Sequence, residues 1–219
     1  MEGTPLMHIL YEDNHILVVL KPRGVLSQAD GSEKEDMLTL LKEYVKEKYH
    51  KPGNVYLGLV HRLDRNTSGV MVFAKTSKAA ARLSKQIQEH TFKKYYKAIV
   101  EGYIEGEKRL EGYFLKNERE KKSYPSPKGQ YASLYYEAIG HKTIQNQMVT
   151  LVQIELETGR FHQIRVQFSS IGHPLYGDMK YGSKHKIDPL EFPLEAYKVE
   201  FFHPITNEKL QFEYNTLHL

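Results

Sequence analysis

Apolar and polar positions alternate along this chain in short blocks, and most of the blocks read as strands. Ile16 to Leu20 is a compact apolar run that ends in the turn signal Lys21-Pro22-Arg23-Gly24. Ser32 then reads as the cap of a helix reaching about His50, with Leu38, Leu41, Val45 and Tyr49 recurring at helical intervals on one face. After a Pro52-Gly53-Asn54 break come two further apolar runs, Tyr56 to Val60 and Val70 to Ala74. Both read as buried strands, and they enclose the segment HRLDRNTSG from His61 to Gly69. Ser77 opens a second predicted helix whose inner face carries Ala80, Leu83, Ile87 and His90, and a strand from Tyr95 to Val100 follows, closed by Gly102.

The second half continues in the same way. Residues 116–130 (KNEREKKSYPSPKGQ) are polar, basic and interrupted by Pro and Gly, the composition of a mobile loop. Strands are predicted at about 131–139 and 147–157. FHQIRVQFSSI then reads as a helix with Phe161, Ile164, Phe168 and Ile171 inward, stopped by Gly172. HPLYGDMKYG, from His173 to Gly182, is irregular, and a closing hairpin joins Ala196–Phe202 to Leu210–Tyr214 through Pro204 and Asn207. Many strands with a few interspersed helices make this an α+β fold on a mixed, mainly antiparallel sheet.

Composition narrows the chemistry. The 219 residues contain no cysteine, which excludes disulfides, thiolate metal sites and a Cys nucleophile. No window approaches a membrane span, and the first residues do not form a signal peptide, so the expected location is the cytoplasm. The net charge is +4, with a pI of about 8.9. Basic residues are clustered, which suits a phosphate-rich partner.

Asp64 is the most distinctive candidate, a carboxylate between Arg62 and Arg65 at a strand-to-strand junction. By itself such an Asp reads more readily as a turn former accepting backbone N–H bonds than as a chemical group. His162 and Arg165 lie three apart on the predicted helix, on one stripe, and Arg160 adjoins its N-terminus, where it would assist phosphate binding or be solvated. Lys93, Lys94 and Lys97 interleave with Tyr95 and Tyr96, as cations and rings for nucleic acid or as a sheet edge guarded by lysines with a tyrosine in the core, and composition alone favours the sheet edge. His61, Asp64, His162, His173 and Asp178 could hold a metal by residue type, but no HExxH is present. Ser68 lacks the GxSxG elbow of a hydrolase, and no phosphate-loop or dinucleotide fingerprint occurs.

Taken together, the segments resemble the RluA-type family of RNA pseudouridine synthases. HRLDRNTSG followed by VMVFAK resembles the family's catalytic motif, Lys94-x-Tyr96-x-Ala98-x-Val100-x-Gly102 the second, and LETGRFHQIRVQ the third. ILVVLKPRGVLS, HPLYGDMKYG and FFHPITNEKL fit in the same order, so that the resemblance covers about residues 8–214. It implies an isomerase that converts uridine to pseudouridine in ribosomal RNA, transfer RNA or both. It also implies a single catalytic domain over residues 1–219, working as a monomer without an N-terminal S4 domain, metal or other cofactor. The alternative is a non-catalytic RNA-binding or ribosome-assembly factor on the same fold.

The resemblance assigns roles residue by residue. Asp64 is implied to act on the ribose as nucleophile or base, Tyr96 to pack on the target base, and Arg165 to pair with the aspartate. Ile164 would contact the uracil and Arg62 would fill the gap left by the flipped nucleotide, while His61, Arg160 and Lys94 complete the substrate-binding set. Three departures stand out: Phe161 where a small hydroxyl residue is common, Gln167 where His is usual, and Glu195-Ala196 where a His-Ala pair is frequent.

Overall fold

A computed structural model describes residues 8–219. They separate into two compact units, one formed by the chain up to Phe92 together with Lys198–Tyr214, the other by Lys93–Tyr197 with Asn215–Leu219.

In the first unit, β1 (His8–Glu12) pairs antiparallel with β2 (Ile16–Lys21), and β2 pairs antiparallel with β4 (Ser68–Ala74). The short β3 (Gly58–Leu59) lies on β4. Helix α1 spans Met37–Lys48 and α2 spans Ser77–Gln88. Alternate residues of β2 and β4 point to one face, where Ile16, Val18, Val70 and Val72 pack with Ala79 and Leu83 of α2 and with Phe92, Val199 and Phe201. Glu12 ties the end of α1 to this sheet, accepting bonds from Tyr44, Lys48, Tyr49 and Lys75 at 2.7–2.9 Å. Burial would raise its pKa, but those donors hold it down at about 2.

The second unit is built on antiparallel strands. Its strands β5 (Lys93–Glu101), β6 (Glu107–Asn117), β7 (Lys122–Pro125), β8 (Gln130–Ile144) and β9 (Gln147–Leu156) run in the spatial order β5-β9-β8-β6-β7. Helix α3 (Gln163–Ser170) packs Val166 against Phe114, Ala132 and Tyr181, and Phe168 against Tyr136. Strand β10 (Leu194–Phe202) gives its residues through Tyr197 to this unit and the remainder to the first, where it pairs antiparallel with β11 (Lys209–Glu213). This is the expected α+β fold.

Several boundaries differ from expectation, each for a physical reason. Asp36, not Ser32, caps α1: its carboxylate accepts from the Thr39 N–H at 3.0 Å and leaves Ser32 in the preceding loop. The inward residues are Met37, Leu41 and Val45 rather than Leu38 and Tyr49. Only Gly58 and Leu59 of the Tyr56–Val60 run pair as a strand. Helix α2 stops at Gln88, so His90 lies beyond it with a left-handed φ of 56°. The 116–130 segment is not a long loop. Its polar residues finish β6, form β7 and turn back into β8, because Lys, Glu and Pro suit a solvated edge strand as well as a loop. Gly129 makes that turn possible, since a Cβ there would lie 2.2 Å from the Phe114 backbone. Strands β1 and β6 escape a pattern search because charged or polar residues fill their outer positions.

The departures from the family pattern have structural partners. Gln167 is buried and donates to the Leu110 carbonyl at 2.9 Å, and the buried Glu195 accepts the Thr216 and Leu217 N–H groups at 3.0 Å, fastening the chain's last residues. The cap assignment is directly testable: Asp36→Ala should cost about 1 kcal/mol in urea denaturation, while Ser32→Ala changes stability by less than about 0.3 kcal/mol.

Candidate active site

Asp64 belongs to the first unit, on a loop held by its own backbone. The Thr67 N–H donates to the Asp64 carbonyl at 3.0 Å and closes the turn, while the Asp64 side chain stays half-buried. Leu63 is buried, and Ser27 clamps it twice: the Ser27 Oγ donates to the Leu63 carbonyl at 2.8 Å and accepts the Leu63 N–H at 3.0 Å. On the other side, Arg65 and Gly24 exchange bonds. The Gly24 N–H donates to the Arg65 carbonyl at 3.0 Å, and the Arg65 Nε donates to the Gly24 carbonyl at 2.9 Å. Gly24 sits at φ 85°, a conformation that costs glycine little.

Lys21 fixes this junction. It is 1% exposed, and its Nζ donates to the carbonyls of Pro22 (2.9 Å), Val25 (2.7 Å) and Arg65 (2.9 Å). Burial pushes its pKa down to about 7, with the charge of Asp64 pulling upward and those of Arg23 and Arg65 downward. Three acceptors need three N–H donors, which only the ammonium form has. Lys21 therefore places a buried positive charge at the aspartate loop and ties that loop, through Arg65, to the turn that follows β2.

The other residues expected on this side have separate tasks. His61 accepts the Val72 N–H on Nε2 at 2.9 Å and lies 5.4 Å from the Phe92 ring, which fastens the loop to β4. Arg62 is exposed. Asn66 Oδ1, Thr67 Oγ1 and Ser68 Oγ are buried without a hydrogen bond among the described residues, an unusual concentration of polar atoms after a single carboxylate.

In the second unit, β5 presents Lys94 and Tyr96 two residues apart, on one face of the strand. Tyr96 is 5% exposed. Helix α3 begins later than its apolar pattern suggests, because His162 takes a left-handed φ of 52° as its N-cap and the Gln163 side chain folds back over the turn. Gln163 Oε1 accepts from the Arg160 N–H at 3.0 Å and from Thr158 Oγ1 at 2.7 Å, and its Nε2 donates to the Ser133 carbonyl at 3.0 Å. Arg160 is exposed, and its Nε donates to the Tyr131 carbonyl at 2.9 Å. Ile164 is buried at 4% exposure.

Arg165 makes a two-pronged pair with Asp178, Nε to Oδ2 at 2.6 Å and Nη2 to Oδ1 at 2.8 Å. Its guanidinium also lies over the rings of Tyr181 (4.9 Å) and Phe192 (5.4 Å). Asp178 and Tyr181 come from HPLYGDMKYG, and sequence reasoning gave neither a role beside Arg165. A carboxylate bracketed by glycines was the available signal. Tyr181 in turn bonds His162 Nδ1 at 3.0 Å and accepts the Ser123 N–H at 2.8 Å. Phe161 stacks on His162 at 3.8 Å and takes Lys116 over its ring at 4.6 Å, so the residue that departs from the family pattern is part of the packed turn.

Comparison with known proteins identifies the family. Residues 15–170 match the family described as RNA pseudouridylate synthase. An uncharacterized RNA pseudouridine synthase of Bacillus subtilis is 38% identical over 208 residues, covering 92% of this chain and 66% of the relative. The ribosomal large subunit pseudouridine synthase D of Zymomonas mobilis is 35% identical over 220 residues, covering 94% and 68%. The chain thus spans about two thirds of the length of these relatives. The human RNA pseudouridylate synthase domain containing 1 superposes with a TM-score of 0.73 at 23% identity, covering 99% of this chain and 86% of that one. The chain belongs to the RNA pseudouridine synthase family, whose members are isomerases that convert uridine to pseudouridine in RNA.

His162 gives a pH prediction. Burial, reinforced by the charges of Arg165 and Lys180, pushes its pKa down to about 3, so the folded protein keeps the ring neutral. Between about pH 6.5 and 3 the unfolded chain binds the extra proton, so stability is lost as pH falls through that window. Urea denaturation should show wild type losing up to about 2 kcal/mol more than His162→Gln between pH 6.5 and 5. Parallel curves for the two proteins would contradict the assignment.

Proposed function

We propose that this chain is an active RNA pseudouridine synthase that modifies ribosomal RNA of the large subunit, working as a cytoplasmic monomer. In this reading Asp64 acts on the ribose as nucleophile or base. The N-glycosidic bond breaks, the uracil rotates, and a C–C bond to C5 replaces it. Tyr96 is the platform for the uracil, Arg165 is the arginine of the catalytic set, and Ile164 is an apolar contact for the base. Arg62 occupies the stack after the uridine leaves, and its exposure suits that task. His61 supports the Asp64 loop through the Val72 N–H, and Arg160 supports the turn before α3 through the Tyr131 carbonyl.

One observation carries the reading. Asp64 is the carboxylate on a loop fixed by a buried ammonium and two reciprocal clamps, Ser27 with Leu63 and Gly24 with Arg65, far more fastening than a surface turn needs. Such fixing is what positioning chemistry demands. The ribosomal target rests on the name of the Zymomonas mobilis relative.

The test is to incubate the protein with unmodified large-subunit ribosomal RNA and map new pseudouridines. Wild type is expected to create at least one site and Asp64→Asn none. Arg165→Ala should lower single-turnover rate by ~100-fold while RNA affinity changes by less than about fivefold. Modification by Asp64→Asn at the wild-type rate would contradict the catalytic assignment.

A further inference from the structure

Three lysines are buried, Lys21, Lys94 and Lys97. Lys97 lies over the Tyr197 ring at 5.3 Å, and the other two are treated oppositely. Lys21 is surrounded by three carbonyl acceptors. Lys94, 8% exposed on β5, has neither a hydrogen bond nor an ion pair to its ammonium among the described residues. Its neighbour Lys93 does find a carboxylate, Glu155 at 2.7 Å. Burial is the sole cause acting on the Lys94 ammonium and pushes its pKa down to about 8, which leaves it charged at neutral pH. An ammonium on a largely buried side chain with no protein acceptor is costly, and its charge stays available to an anion that reaches it.

Its surroundings indicate what that is. The Lys94 Nζ reaches the Thr158-Gly159-Arg160 loop, lying 3.3 Å from where a Cβ on Gly159 would stand. Gly159 and Arg160 are exposed, so the ammonium ends just beneath an open stretch of backbone whose glycine keeps a side chain out of its way. It shares a strand face with Tyr96, two residues along. Among the described residues no carboxylate competes for it, and an anion arriving over Gly159 would meet the ammonium directly.

We propose that Lys94 and the Gly159 backbone form a binding site for one backbone phosphate of the RNA substrate, next to the nucleotide that packs on Tyr96. The inference rests on the RNA-modifying reading above and adds a specific anchoring point to it. The folded protein carries an unpaired charge at this position that is neutralised when RNA binds.

The experiment compares wild type with Lys94→Met by measuring RNA affinity against salt concentration and thermal denaturation without RNA, using transcribed large-subunit ribosomal RNA as the probe. Affinity should fall roughly ten- to hundred-fold, as for a lost charge-assisted bond. The slope of log K against log salt should shrink by roughly 0.7–0.9, one phosphate contact. The melting temperature without RNA should rise by about 2–4 °C, because methionine removes an uncompensated buried charge. The salt slope decides: a wild-type slope overturns the proposal whatever happens to stability. Pseudouridine formation by wild type, measured separately, tests the activity, so the two readings fail independently.

Discussion

A single buried ammonium organises the part of this protein that carries its aspartate. Lys21 closes the β2 strand and enters the core, where it must be satisfied or neutralised. It is satisfied by carbonyls from both sides of a junction, Pro22 and Val25 on one and Arg65 on the other. This constraint determines the Lys-Pro-x-Gly turn, because the carbonyls converge on the ammonium only if the chain reverses at once and Gly24 takes a positive φ. It also fixes where the Asp64 loop can lie. Arg65, next to the aspartate, works through its backbone and Nε on Gly24, so of the two flanking arginines one builds the loop and the other, Arg62, faces solvent.

The second unit solves a related problem with charge pairs and aromatic rings. Arg165 points from α3 to the buried Asp178, and the Tyr181 ring sits under the guanidinium while its hydroxyl meets His162 and the Ser123 N–H. The pair is oriented on both sides, which limits the rotamers open to Arg165. The uncommon Phe161 fits this packing through His162 and Lys116. A glycine-bracketed stretch that reads as irregular is therefore the support for the helix before it.

The fold class and most strands were legible because strongly apolar stretches such as Ile16–Leu20 and Val70–Ala74 leave few alternatives. The edges were not. Residues 116–130 have a loop's composition and form a strand, since an exposed edge strand and a loop select the same residues. The start of α1 was misplaced because Ser32 and Asp36 are both good caps, and only the bond to Thr39 distinguishes them. At the site, Asp64 stood out through its sequence neighbours. Asp178 did not, because its partner Arg165 is 13 residues away in a separate element. Lys21 looked like a turn residue, and nothing in a linear pattern reveals that its ammonium goes inward.

The measurement closest to the central claim follows single-turnover pseudouridine formation and RNA affinity for Lys21→Met alongside amide exchange at Gly24, Arg65 and Thr67. Loss of the ammonium should slow the reaction by ~100-fold or more through misplacement of Asp64, accelerate exchange at those amides, and leave RNA affinity within about fivefold. A Lys21→Met protein that reacts and exchanges at wild-type rates would show that the aspartate loop holds its geometry without the buried charge.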